Sequence, residues 1–150
     1  MKRFHFRLEK LLEVRAYEQS IAEAALSRKN GAVAALEHAL MDNASASLQA
    51  AKERFRPGGH ARDFQAAERY ALRLGQERDK LMKSLAMAEL ERDKAREVYI
   101  AATKAKELIE KLKERAETSY YKAAALEETK ALDDLGSIAR ARNMNLQRES

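Results

Sequence analysis

Apolar residues recur along the first third of the chain at alternating steps of three and four. One line runs Leu8, Leu12, Ala22, Leu26, Val33, Leu36 and Leu40, and Arg15, Gln19 and Lys29 fill its gaps. That spacing occupies the a and d positions of a heptad, on one side of a helix. A smaller line of Leu11, Val14, Ile21, Ala25, Ala32, Ala35 and Ala39 adjoins it, and the two together make a face wide enough for more than one partner helix. The pattern returns as Phe64, Ala67, Ala71, Leu74, Arg78, Leu81, Leu85 and Ala88, then passes Arg92 to Ala95, Tyr99 and Ala102. Beyond Ala102 the apolar residues Leu108, Leu112, Ala116, Tyr120, Ala123, Leu126, Leu132, Leu135 and Ile138 drift off that line, as at a stutter in a heptad repeat.

Between the two patterned stretches lies Arg56-Pro57-Gly58-Gly59-His60, with the only proline and two of the five glycines. Pro57 lacks an amide proton and disfavours a helical residue before it, while Gly58 and Gly59 tolerate positive φ. Asp63 stands where a carboxylate favours the first turn of a new helix. Asn30-Gly31, Gly75 and Gly136 interrupt nothing, because helical spacing continues across or around them. The prediction is all-α: two long helices in an antiparallel coiled-coil hairpin, helix 2 longer than helix 1, as a single domain over residues 1–150. Helix 1 is expected at about 3–54, the turn at about 55–61, helix 2 at about 62–141 and a frayed tail at 142–150. The seam residues expected from the spacing include Leu8, Leu12, Leu26, Val33, Leu36, Leu81, Leu85 and Tyr99.

A turn centred near residue 58 sets Leu8 near Leu108, and Leu36 near Lys80 and Leu81. Helix 1 is then exhausted opposite about residue 113, and residues 114–141 have no intramolecular partner. Yet that segment carries Ala116, Tyr120, Tyr121, Leu126, Leu132, Leu135 and Ile138. An apolar stripe without an internal partner implies an external one, or disorder when alone.

Composition narrows the function. Charged residues make up 35% of the chain and aromatics 6%, which suits long helices better than a thick core. There is no cysteine, so disulfide frameworks and thiolate metal sites are excluded. No apolar run approaches the length that spans a membrane, and the N-terminus lacks the pattern of a signal peptide, so a cytoplasmic protein with no direct membrane insertion is expected. His5, His38 and His60 stand apart, none with a second ligand one helical turn away. The glycine pair lacks the Lys-Ser/Thr of a phosphate loop, and one hairpin builds no concave pocket. Neither an enzyme nor a cofactor is expected.

Net charge is +5, with 29 basic and 24 acidic residues interspersed. This argues against a continuous basic stripe and hence against a nucleic-acid partner. The exception is local. Residues 1–15 hold five basic and two acidic residues, with Phe4, Phe6 and Leu8 between them.

The opening FHFRLEKLLEVRAYEQSIAEAAL resembles the start of the flagellar FliJ family, whose members often begin F-x-F/Y-x-L-E-x-[LV]-L-x-[LVY]-R. The later KAKELIEKLKERAETSYYKAAALEETKALDDLGSIA resembles the family's tail. The resemblance spans nearly the whole chain, including its break near residue 58. It implies a coiled-coil component of the flagellar type III protein export apparatus, similar to the stalk of rotary ATPases. The implied partners are the hexameric export ATPase, the cytoplasmic domain of the export-gate membrane protein, the ATPase's stator-like regulator and export chaperones. The implied place is the cytoplasmic face of the inner membrane at the flagellar base.

In the family, the end near both termini enters the ATPase ring. Carried onto this chain, that end holds Lys2, Arg3, Phe4, Phe6, Arg7, Tyr120, Tyr121, Leu132, Leu135, Ile138, Arg140 and Arg142. The implied gate contact, nearer the turn, falls on Leu40, Tyr70 and Leu74. Where some members have aromatic residues, this chain has Asn43 and Ser47. Two other readings of the residues stay open: a scaffold that homodimerises through the second stripe and the unpaired end, and a basic helical nucleic-acid binder.

Overall fold

The structure, a computed structural model, describes residues 3–54 and 57–148, with side chains through Met144. Two helices account for most of it: α1, Glu9–Arg54, of 46 residues, and α2, Ala61–Arg148, of 88 residues. They form an antiparallel hairpin with the longer helix second, and no strand occurs among the described residues.

The helix ends differ from the sequence expectation. Helix 1 was expected from about residue 3, but Arg3–Leu8 are not helical and α1 starts at Glu9. The Glu9 N–H donates to the Phe6 carbonyl at 3.3 Å, and the Leu12 N–H to that of Leu8 at 3.0 Å. The acidic Glu9 suits the positive end of the helix dipole. At α2 the His60 N–H donates to Asp63 Oδ2 at 3.2 Å, while the Asp63 N–H donates back to the His60 carbonyl at 2.9 Å. This reciprocal cap satisfies two donors that a helix start otherwise leaves open. Gly58 has φ +92°, the left-handed conformation that glycine supplies. Phe55 and Arg56, in the expected turn, lie outside the described residues. Residues 142–148, expected to fray, continue α2, since no glycine or proline follows Gly136 in that stretch.

Tertiary contacts group the chain into two units. One runs from Tyr17 to Thr103; the other joins the chain up to Ala16 with the chain from Lys104 onward. In the first unit, Ala22, Val33, Asn43 and Leu74 are buried. Gln19, Leu26, Lys29, Leu36 and Leu40 of α1 and Ala67, Ala71, Leu81, Leu85, Ala95 and Tyr99 of α2 are half-buried beside them. These are the expected a and d positions. Two others of that line are not covered, Phe64 and Arg78, the latter turned to Asp79 at 3.0 Å, and Ile21, Ala32 and Ala35 of the adjoining line are exposed too.

The register is shifted from expectation. Arg54 ion-pairs with Glu68, Lys29 with Glu91 at 3.0 Å, and Gln19 Nε2 donates to Thr103 Oγ1 at 3.2 Å. Because Glu68 rather than Ala61 lies level with Arg54, α2 begins about two turns beyond α1's last residue. Every facing position therefore lies a few residues later in α2 than a symmetric turn would set it.

In the second unit, Lys113 Nζ reaches Glu9 Oε1 at 2.8 Å, Phe6 is buried, and the Phe4 and Tyr120 rings stand 5.6 Å apart. Leu8, expected in the seam, precedes the helix and is exposed. No stutter follows Ala102. The half-buried line continues through Lys106, Ile109, Lys113, Ala116 and Tyr120 in regular steps, while Leu108 and Leu112 are exposed. The apolar pattern drifts because two lysines hold the line, burying their stems while their ammonium groups pair with Glu9 and Glu110. The N-terminal arm thus covers α2 as far as Tyr120, further than the expected limit near residue 113.

Candidate functional site

Past Tyr121 the character of α2 changes. From Ala125 to Met144 every side chain is exposed, Gly136 being half-buried. Leu132, Leu135 and Ile138 stay between 56% and 63% accessible, in a molecule whose other unit buries Val33 and Leu74 and half-buries Leu26, Leu36, Leu81 and Leu85. At about 100° per residue, Leu132, Leu135, Ile138 and Arg142 share one side of the helix, whereas Arg140 and Leu126 point away from it. Charge is segregated along this end. Residues 127–134 carry four acidic side chains and one lysine, and residues 136–148 carry three arginines and no acid.

At the base of this end the structure brings together part of the set implied by the family. Phe4 packs at 5.6 Å from Tyr120, which stands 5.6 Å from Tyr121 in edge geometry. Arg3 and Arg7 are exposed on the arm that carries Phe4 and the buried Phe6. The result is an aromatic cluster flanked by cations. Lys2 lies outside the described residues. Leu132, Leu135, Ile138, Arg140 and Arg142 are not drawn into the cluster; they lie along α2 beyond it.

The three residues of the other implied contact differ from one another. Tyr70 is exposed, with the Arg73 guanidinium 5.7 Å from its ring. Leu40 is half-buried. Leu74 is buried in the seam at 6% accessibility, so its side chain offers nothing to a partner. Its carbonyl accepts a hydrogen bond from Asn43 Nδ2 at 3.1 Å. Sequence reading did not place Asn43 in the seam, though the signal was present: three residues after Leu40, it holds the next position of the heptad line.

Nearer the turn, the Arg54 guanidinium stands 5.2 Å from the Phe64 ring centre beside its ion pair with Glu68. His38 Nδ1 lies 3.1 Å from Asp42 Oδ2 on an exposed face. The Lys29 ammonium, hydrogen-bonded to Glu91, holds the Glu91 carboxyl below its ordinary range. Among the described residues no group of three potential metal ligands occurs, and no helix is long and apolar enough to cross a membrane.

What this geometry offers a partner is surface: a helix end with one apolar side, and an aromatic cluster among cations. Compared with known proteins, the chain matches the family model described as flagellar FliJ protein over residues 4–145. No curated protein and no solved structure matches it. The family match covers nearly the whole chain, both helices and the aromatic base of the uncovered end. The chain therefore belongs to the FliJ family, non-catalytic components of the flagellar protein export apparatus.

Proposed function

We propose that this protein is the stalk of the export machine: a helical hairpin whose free α2 end and N-terminal arm enter the hexameric export ATPase and promote its assembly and turnover. The observation that carries the reading is the apolar side of α2 past Tyr121, which no part of α1 covers. A ring lumen is an environment in which Leu132, Leu135 and Ile138 lose water on several sides at once. Arg3, Arg7, Arg140 and Arg142, with Lys2, meet acidic loops at the mouth or wall of the ring and steer the approach. The protein contributes no reacting group; it changes the ATPase by binding one arrangement of its subunits better than another.

At the other end, Tyr70 and Leu40 contact the cytoplasmic domain of the export gate. Leu74 acts there only from beneath, by holding the two helices in register. Export chaperones and the ATPase's stator-like regulator are further partners, and the complex sits at the cytoplasmic face of the inner membrane at the flagellar base. Motility depends on the protein through this assembly.

The test is ATP hydrolysis and ring assembly by the cognate export ATPase, measured with the full chain and with residues 122–150 deleted. Stimulation by the full chain, lost on deletion while the remaining hairpin keeps its helical signal, is the expected result. Equal stimulation by both chains would remove the free end from the mechanism.

A further inference from the structure

The uncovered end of α2 is complementary to itself. Take Leu135 as the centre. Leu132 stands three residues before it and Ile138 three after; Ala131 four before and Ala139 four after; Glu128 seven before and Arg142 seven after. On a helix these positions lie within about 60° of Leu135, with Glu128 and Arg142 only about 20° from it. Running the same helix against itself in the opposite direction therefore sets Leu135 against its copy and Leu132 against Ile138. It also sets Glu128 against Arg142 at both edges of the contact. Each patch is apolar in the middle and carries one acid and one base placed to meet their opposites, the arrangement a two-fold interface requires.

All of these positions lie within the exposed stretch from Ala125 to Met144, and the N-terminal arm that packs Phe4 on Tyr120 lies before it.

We propose that, away from the ATPase, two copies of this chain pair through residues 126–144 of α2 as an antiparallel two-fold dimer with Leu135 on the axis. The contact is one helix wide and about 30 Å long, at the small end of specific interfaces, so the dimer forms and dissociates readily. Leu132, Leu135, Ile138 and Arg142 are also residues assigned above to the ATPase ring. Self-pairing and ring binding then exclude one another, a clause that rests on the proposed function; the dimer itself does not.

The experiment uses the full chain. Sedimentation should show monomer at about 1 µM and dimer at about 100 µM, a range suited to a small interface. Glu128→Arg or Arg142→Glu alone sets like charges against each other and should weaken the dimer about tenfold or more, while the double exchange restores it. Because the chain has no cysteine, Leu135→Cys provides a second readout. It should form an interchain disulfide under diamide oxidation, and Leu126→Cys, on the opposite side of the helix, should not.

Monomer at every concentration overturns the proposal. So does a dimer indifferent to the charge exchanges, or equal cross-linking of the two cysteine variants. ATPase stimulation measured in parallel at 1 µM, on the order of a hundredfold below the dimer range, separates the two ideas. Stimulation without self-pairing removes only the dimer, and self-pairing without stimulation removes only the ring reading.

Discussion

Val33 and Leu135 are both aliphatic, both sit on α-helices and both have an aliphatic residue three positions on, Leu36 and Ile138, yet 5% of one is accessible and 63% of the other. The unit from Tyr17 to Thr103 contains a facing piece of each helix, so its stripes close on one another around Ala22, Val33 and Leu74. Past Tyr121, α2 runs beyond α1, and Phe4 on Tyr120 is the furthest ring contact of the described N-terminal arm. The difference lies in what stands opposite, not in residue type. A heptad line states what a helix is able to cover, and the presence of an opposing segment decides whether it is covered within the same molecule.

The sharpest way to break that comparison is the same insult in both places. Val33→Asp puts a charge without a partner into the seam and should cost about 3 kcal/mol, enough to lower the thermal midpoint by many degrees. Leu135→Asp, read at about 1 µM chain where the free end is solvated, should change stability by no more than about 0.5 kcal/mol. Circular dichroism melts of the two variants decide it. Equal losses would mean that the end of α2 is already covered in the isolated chain.

Glycine separates the regions next, with opposite signs. Gly58 holds φ +92° in the turn, so Gly58→Ala should destabilise the hairpin by about 1 kcal/mol or more. Gly136 lies within α2 and nothing stands within 4 Å of an added Cβ. Gly136→Ala should therefore favour the helix by up to about 1 kcal/mol, seen as a larger helical signal ahead of the main transition.

Much of this was legible in the sequence because helices with short connections leave few options. The proline and glycines marked the turn, and the a and d spacing marked Leu12, Leu26, Val33, Leu36, Leu81, Leu85 and Tyr99 as inward positions. Two of the departures, at Asn43 and after Ala102, share one cause: apolar identity marks no seam position there. Lys106, Lys113 and Asn43 hold seam positions with polar ends, so the line seemed to drift after Ala102 and Asn43 went unplaced. The register was misjudged because facing positions depend on how far α2 rises before it meets α1, which Arg54 and Glu68 report and no spacing encodes. For the candidate site, spacing singled out the uncovered stripe, whereas the packing of Phe4 on Tyr120 needed coordinates.

Asn43 sharpens the comparison at a smaller scale. A polar side chain in a seam costs stability and limits the registers in which the helices can pair. Asn43→Leu should raise stability by about 1 kcal/mol, because the Asn43 amide no longer has to be desolvated to reach the Leu74 carbonyl. The same variant should broaden the distance distribution between spin labels on Ser27 and Lys94, exposed positions on the two helices. A narrow distribution in the variant would assign the register to the turn alone.

The smallest effect belongs to the exposed edge of the seam. Lys29 donates to Glu91 at 3.0 Å and holds its carboxyl below the ordinary value of about 4.5. A carboxyl with a lowered folded-state value stabilises the fold fully above its unfolded value, and the contribution disappears as pH falls through the folded one. Stability of the hairpin should therefore slip slightly as pH drops from about 5 toward 3, with the loss spread over other carboxylates as well. Glu91→Gln removes one proton-linked step, so its loss over that window should be shallower than that of the parent chain. Its stability near pH 7 should fall only slightly, because both partners are well exposed and solvent screens the pair. Parallel acid titrations of the two chains would then converge at low pH. Curves that stay a fixed distance apart from pH 7 to pH 3 would mean that the Lys29 contact does not alter proton binding at Glu91, and that the glutamine acts through packing instead.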